Sequence, residues 1–82
     1  MLVILSKDAQ KQYEHLPKIE QVKVYKKLRF LEVYPTAGKK LAGELSGIRS
    51  IRVWPYRIIY EINGTKKRVE ILKIAHRQGV YR

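Results

Sequence analysis

The sequence predicts an α+β domain in which a helical hairpin packs on one face of a small antiparallel sheet, in the order β-α-α-β-β-β. Two observations predict this fold. Apolar residues recur at intervals of three and four in the first part of the chain, as on amphipathic helices, and alternate with polar residues in the second part, as on half-buried strands. A chain of 82 residues holds one core, so we expect a single domain over residues 1–82.

The first helix is predicted to follow a short apolar strand at the start of the chain. Ser6 is a residue that caps helices, and an apolar stripe at Ala9, Tyr13 and Leu16 follows it. Pro17 should end this helix, because the residue before a proline is pushed out of the α region.

The second helix is predicted to begin near Lys18 and to end before Pro35 and Gly38. Two antiparallel helices joined at Pro17 would form a helical hairpin. The predicted apolar stripe of the second helix runs through Ile19, Val22, Tyr25, Leu28 or Arg29, and Glu32, with Val24, Phe30 and Leu31 beside it.

Three strands are predicted after the helices. Residues 39–47 form a connection or the bulged start of a strand, and strand-like alternation then runs through Val53. Residues 56–62 form the next strand. Asn63 and Gly64 tolerate a positive φ in a tight turn, so residues 69–75 should return antiparallel.

Arg52 and Arg57 are predicted to face each other across the first hairpin of the sheet. If the connection at Trp54 and Pro55 holds an even number of residues, Val53 pairs with Tyr56 and Arg52 with Arg57. Opposed like charges on a sheet repel, and a bound anion would relieve this repulsion. Alternatively, the two arginines turn into water or reach the carboxylates of Glu61 and Glu70. Trp54 would lie at the hairpin tip, where it either contacts a partner or covers the end of the sheet.

The charge of the chain indicates a polyanionic partner. The chain holds 18 Lys and Arg against 7 Asp and Glu, a formal net charge of +11. Residues 1–38 carry seven basic and four acidic side chains, whereas residues 39–82 carry eleven basic and three acidic ones. The second part is therefore where a phosphate backbone would dock.

The composition excludes several other classes. The chain has no Cys, which excludes disulfides and thiolate metal sites and agrees with a reducing compartment. The apolar segment at residues 1–5 is too short for a signal peptide or a membrane span. We expect a cytoplasmic protein that uses no membrane, metal or cofactor.

Three segments of the chain together carry a resemblance to the RelE/ParE toxin superfamily. Its typical pattern is a Leu-x-Gly-x-Leu-x-Gly segment, an LRVxxYRxxYxI hairpin and a terminal GHRxxVYR. The matching residues here are Leu41 to Gly47, then Ile51, Arg52, Val53, Tyr56, Arg57, Ile58, Ile59, Tyr60 and Glu61, and finally Ile74, Ala75, His76, Arg77, Val80, Tyr81 and Arg82.

The resemblance implies a toxin that is neutralised by a cognate acidic antitoxin, similar to RelB. For the RelE branch it implies a metal-independent endoribonuclease that cuts mRNA presented by the ribosome. A ParE-like inhibitor of DNA gyrase shares the fold and needs no group for proton transfer. A third reading is a domain that binds nucleic acid without chemistry, or a toxin that has lost its activity.

The resemblance also assigns candidate catalytic residues. By position, Arg57 and Arg77 are similar to arginines that stabilise the phosphate, and Arg52 to a basic residue that acts as base or as electrostatic support. An imidazole such as that of His76 can move a proton in either direction near neutral pH. Tyr81 matches a C-terminal tyrosine that stacks on a base or orients the 2′-hydroxyl.

Further basic residues are candidates for contact with RNA phosphates. Ser50 departs from the pattern, because a basic residue is common there, and Ala75 stands where glycine is usual before the His. The RNA-binding candidates are Lys39, Lys40, Arg49, Lys73 and Arg82.

The register of the last strand has two solutions. A loop of two or four residues around Asn63 and Gly64 places His76 on the face of Arg57, whereas a loop of odd length places Lys73 there.

Overall fold

The structure is a computed structural model that describes residues 1–41 and 47–80. Within these residues, no helix has both the length and the apolar character needed to cross a bilayer. The elements in chain order are β1 (Leu2–Leu5), α1 (Lys7–Glu14), α2 (Lys18–Val33), β2 (Lys39–Lys40), β3 (Ile48–Val53), β4 (Tyr56–Asn63), β5 (Arg68–His76) and the short α3 (Arg77–Val80).

The strands form a single sheet in the order β1-β5-β4-β3-β2, and α1 and α2 pack on one face of it. The predicted helical hairpin on a small sheet is confirmed. The pairs β3–β4 and β4–β5 are antiparallel as predicted, β2 is an additional short strand antiparallel to β3, and β1 pairs with β5 in parallel. The reason is that the whole segment from α1 to β4 lies between β1 and β5, so no hairpin turn dictates their direction.

The start of α1 follows from the side chain of Ser6. Its Oγ accepts a hydrogen bond from the backbone N–H of Ala9 at 3.0 Å, as an N-cap does. The same Oγ donates to the carbonyl of Leu72 in β5 at 3.1 Å. Ser6 therefore both begins the helix and ties it to the sheet.

The buried face of α2 differs from the predicted one. Val24, Leu28 and Leu31 are buried, whereas Ile19 is 74% exposed and Val22 53% exposed. The predicted stripe through Ile19, Val22 and Glu32 was wrong because α2 carries apolar residues on two sides, and periodicity alone does not say which side meets the sheet.

The core joins the end of α2 to the middle of the sheet through Tyr60. This side chain is fully buried, and its hydroxyl donates to the carbonyl of Pro35 at 2.7 Å and accepts from the N–H of Gly38 at 2.8 Å. A Cβ on Gly38 would lie 2.5 Å from the Tyr60 hydroxyl, so only glycine fits there.

The β4–β5 turn has one of the predicted lengths. Asn63 pairs with Arg68, which leaves four residues, 64–67, in the turn. The positive φ falls on Lys67, at 52°, rather than on Asn63 or Gly64. The Asn63 side chain instead accepts a hydrogen bond from the N–H of Lys66 at 3.0 Å, which closes the turn.

Candidate functional site

The hairpin of β3 and β4 has the predicted register. Val53 pairs with Tyr56, and Arg52 pairs with Arg57. Val53 is buried toward the helices, so Arg52 and Arg57 lie on the opposite face, which we call the open face. Arg52 is exposed and Arg57 half-buried. The two guanidinium groups thus extend from directly opposed positions, as the alternation of residues predicted.

Ser50 orients Arg57. Its hydroxyl accepts a hydrogen bond from Nη1 of Arg57 at 3.1 Å, and Ser50 is the buried polar residue of the described chain, at 4% exposure. Sequence reasoning treated Ser50 only as a missing basic residue. The predicted register already indicated this contact. Ser50 lies two residues before Arg52 on the same face, which places it diagonally opposite Arg57.

The register of β5 is set by a β-bulge. Arg57 pairs with Ala75 and Ile59 with Lys73, but Tyr60 pairs with Ile71, so that Leu72 is an extra residue. The turn of four residues alone would have placed His76 on the open face. The bulge shifts residues 73–76 of β5 by one position relative to β4. As a result Lys73, rather than His76, lies on the face of Arg57.

His76 consequently pairs with Tyr56 at the end of β5. Its ring lies edge-on to that of Tyr56, with 5.4 Å between centroids, and the side chain is exposed. Nδ1 accepts a hydrogen bond from the N–H of Gln78 at 3.3 Å.

Arg77 lies at the tip of the β3–β4 hairpin. Its backbone N–H donates to the carbonyl of Pro55 at 2.8 Å, which continues the β4–β5 ladder by one step. Its guanidinium carbon lies 4.8 Å from the centre of the Trp54 ring. Arg57 and Arg77 are therefore at the same end of the sheet, two ladder positions apart.

The remaining candidates divide between the two faces. Lys39 pairs with Ser50, so it shares the open face, and it is exposed, as is Lys73. Arg49 lies on the helix side, where its Nη1 donates to the carbonyls of Thr36 at 3.2 Å and Gly38 at 2.9 Å. That guanidinium holds the connection after α2.

We call Lys39, Arg52, Arg57 and Lys73 the basic patch.

Lys40 pairs with Arg49 and so follows the other face of the sheet. Tyr81 and Arg82, and residues 42–46 of the resemblance, lie outside the described residues.

Two carboxylates lie toward the other end of the open face. Glu61 pairs directly with Glu70, whose carboxylate binds Nη2 of Arg68 at 2.7 Å. Positive charge is thus concentrated at the end of the face near the β3–β4 hairpin tip. An anionic chain can dock there without meeting these carboxylates.

Fold and site together define a small toxin of the RelE/ParE kind: a helical hairpin on a mixed sheet that carries arginines on its open face. A family model described as the ParE toxin of the type II toxin-antitoxin system parDE matches residues 3–81. The chain belongs to this family.

Individual relatives agree with this membership. Toxin RelE of Mycobacterium tuberculosis is 44% identical over 45 residues, which are 55% of this chain. The match spans 46% of that relative, or about half its length.

Solved structures cover more of the chain. A chain of the RelBE2 toxin–antitoxin complex of Mycobacterium tuberculosis is 30% identical, with a TM-score of 0.84 over 92% of this chain and 95% of that one. A chain of the archaeal RelE–RelB complex of Pyrococcus horikoshii is 28% identical, with a TM-score of 0.79 over 93% of each chain. The protein thus belongs to the toxins of type II toxin–antitoxin systems.

Proposed function

We propose that this toxin is a metal-independent endoribonuclease that cuts mRNA on the translating ribosome, in the cytoplasm, and so inhibits translation. The observation that carries the proposal is the opposed pair of Arg52 and Arg57, with Arg57 oriented by Ser50. Two opposed guanidinium groups can bind one phosphate together, because each offers a planar set of donors to non-bridging oxygens.

The reaction proposed is an internal transfer at phosphorus. The 2′-oxygen of the ribose bonds to the adjacent phosphorus while its proton passes to a base, and the bond from phosphorus to the 5′-oxygen breaks as that oxygen gains a proton. The products are a 2′,3′-cyclic phosphate and a 5′-hydroxyl. Negative charge grows on the phosphorane oxygens, so fixed cations stabilise the transition state more than the ground state.

The structure favours particular roles for the candidates. Arg57 would bind the phosphorane oxygens, and Arg52 would give electrostatic support, since a guanidinium does not release its proton in a protein. Arg77 would bind a phosphate at the hairpin tip. His76 pairs with Tyr56 on the side of the sheet opposite Arg57, so it would reach a reacting atom only around the end of the sheet, and Tyr81 would stack on a base.

The test is cleavage of mRNA on programmed ribosomes, with the new ends mapped by primer extension. We expect cutting by the wild type and a rate lower by roughly 100-fold or more for Arg57→Ala, the loss typical of removing one transition-state donor. Arg68→Ala is the matched control, because it removes an arginine from the same face about 20 Å away along the strands. Uncut mRNA with the wild type, or equal cutting by Arg57→Ala, would overturn the proposal.

A second candidate function is inhibition of DNA gyrase, which the resemblance to ParE implies and which is kept because the matching family model is that of the ParE toxin. This function requires binding but no proton transfer. A supercoiling assay with purified gyrase separates the two: the nuclease proposal expects unchanged supercoiling, whereas a ParE-like inhibitor would block it at stoichiometric toxin.

The antitoxin partner is proposed to be an acidic, partly disordered, RelB-like peptide. The net charge of +11 attracts such a chain over a long distance. An open apolar groove of about 380 Å³ between β1 and the helices, lined in part by Val3, Leu5, Tyr13 and Tyr25, would take its apolar side chains.

Co-purification from the native operon tests the partner. We expect a complex with an acidic chain, weakened by Tyr25→Ala in the groove and unaffected by Tyr34→Ala, an exposed tyrosine outside it. Recovery of free toxin alone would contradict the proposal.

A further inference from the structure

Trp54 is a large aromatic side chain held in the open at the end of the site. It is the single tryptophan of the chain and is 56% exposed. It lies two residues after Arg52, which is about 7 Å along a strand. Because more than half of the side chain is exposed, the indole contributes little to the core and leaves apolar ring surface in water.

The backbone of the tip is held from two sides. The carbonyl of Trp54 accepts a hydrogen bond from Nζ of Lys23 in α2 at 3.2 Å, and that of Pro55 accepts one from the N–H of Arg77 at 2.8 Å. These bonds fix the main chain that carries the indole. Because this main chain is already held, less conformational freedom is lost when a ligand stacks on the ring.

The surroundings of the ring select the ligand. The guanidinium of Arg77 lies over the indole at 4.8 Å, and Arg52 lies two residues before Trp54, whereas the ammonium group of Lys23 is paired with Glu20 at 3.1 Å. A purely apolar partner would bury these cations without compensation. A ligand with a flat aromatic face attached to an anion satisfies both the ring and the charges, and a nucleotide of single-stranded RNA is such a ligand.

We propose that Trp54 is a base-stacking subsite, where a base of single-stranded RNA lies on the ring surface that Arg77 leaves open, next to the phosphate bound by Arg52 and Arg57. The inference rests on the proposed function for the identity of that phosphate. Arg77 would then act twice, as a cation on the indole and as a donor to the backbone of the stacked nucleotide.

The test measures binding apart from cutting. A fluorescent oligoribonucleotide with a 2′-deoxy sugar at the cut position stays intact, and its affinity is read from anisotropy at low salt. Emission at tryptophan wavelengths reports on Trp54 alone, because the chain has no other tryptophan. We expect RNA to quench this emission, and Trp54→Ala to weaken binding by about 5- to 150-fold, the range for losing one stacked base. Trp54→Phe should retain most of the affinity.

Phe30→Ala is the matched control. Phe30 is also an exposed aromatic with a cation over its ring, Lys27 at 5.0 Å, but it lies two helical turns beyond Lys23. Removing the Phe30 ring should leave the affinity for the oligoribonucleotide and the quenching of Trp54 emission unchanged. An oligonucleotide with one abasic position sharpens the test: removing the stacked base should weaken binding to the wild type and have little effect on binding to Trp54→Ala.

The outcomes separate this inference from the nuclease proposal. Quenching and base-dependent affinity without any cutting would support the subsite and remove the nuclease. Cutting by the wild type together with unchanged affinity in Trp54→Ala would overturn the subsite and leave the nuclease. If Trp54→Ala weakens only the complex with the antitoxin, the indole is a protein contact and the inference is wrong. Absence of any binding to the oligoribonucleotide would overturn the subsite, while cutting on programmed ribosomes would still decide the nuclease proposal.

Discussion

At the scale of single residues, a hydrogen bond to Ser50 helps to orient the side chain of Arg57. A half-buried guanidinium has several rotamers, and the bond from Nη1 to the Ser50 hydroxyl at 3.1 Å selects among them. The proposed site therefore depends on a residue that carries no charge. Its contribution should appear in the cutting rate, because orientation matters most where charge develops.

We predict that Ser50→Ala lowers the single-turnover rate of cutting by about tenfold, less than Arg57→Ala, since one hydrogen bond to a charged group contributes about 1.5 kcal/mol. Ser50→Thr keeps the hydroxyl and should recover most of the rate. The experiment is a quench-flow series on programmed ribosomes for the three variants. A full rate in Ser50→Ala, or no recovery in Ser50→Thr, would show that Arg57 is oriented otherwise.

Tyr60 gives a prediction about pH. Burial raises the pKa of its phenol above the ordinary value of 10.0, against lowering effects of the bond from Gly38 and the charge of Arg49. Because the folded-state pKa is the higher one, this group contributes stability that is complete below about pH 10 and is lost as the pH rises through the folded value.

The free energy of unfolding should therefore fall above about pH 10, and less steeply in Tyr60→Phe. The same variant should be less stable at pH 7 by about 1–3 kcal/mol, because the partners at Pro35 and Gly38 lose their bonds. Urea unfolding at several pH values measures both effects, with Tyr34→Phe as the exposed control. Parallel alkaline declines for wild type and Tyr60→Phe would contradict the assignment.

At the scale of elements, prediction succeeded where local chemistry fixes geometry. The β3–β4 register follows from alternation on two strands joined by two residues, and Ser6 capped α1 as expected. The register of β5 was left open because loop length alone does not fix it: the extra residue at Leu72 moves the buried positions from Val69 and Ile71 to Ile74. The orientation of α2 was wrong for a different reason. Its apolar residues lie on two sides of the helix, and which side is buried depends on how the helix packs on the sheet.

The contact between the α2–β2 connection and β4 gives a prediction at this scale. We expect Gly38→Ala to destabilise the fold by about 1–3 kcal/mol, because the new methyl group would lie 2.5 Å from the Tyr60 hydroxyl and 2.7 Å from Cε1 of its ring. Gly64→Ala is the control, since a Cβ there meets nothing within 4 Å. Thermal unfolding of both variants measures the difference. Equal midpoints would mean that the connection moves away without cost.

At the scale of the whole molecule, the arrangement of charge matters more than its total. The formal charge is +11, yet the helices hold part of it in pairs such as Lys23–Glu20 at 3.1 Å, and Arg49 binds backbone carbonyls. The exposed side chains of the basic patch, by contrast, lie on the open face. Only cations that replace counterions on RNA should affect how binding depends on salt.

We therefore predict that Arg52→Ala lowers the slope of log affinity for single-stranded RNA against log salt concentration by about 0.7, the value for one phosphate contact. Lys7→Ala removes the same charge from the start of α1, away from the open face, and should leave the slope unchanged although the net charge falls equally. Anisotropy titrations at four salt concentrations measure both slopes. If the two variants change the slope alike, RNA responds to the total charge of the molecule, and the basic patch is not its docking site.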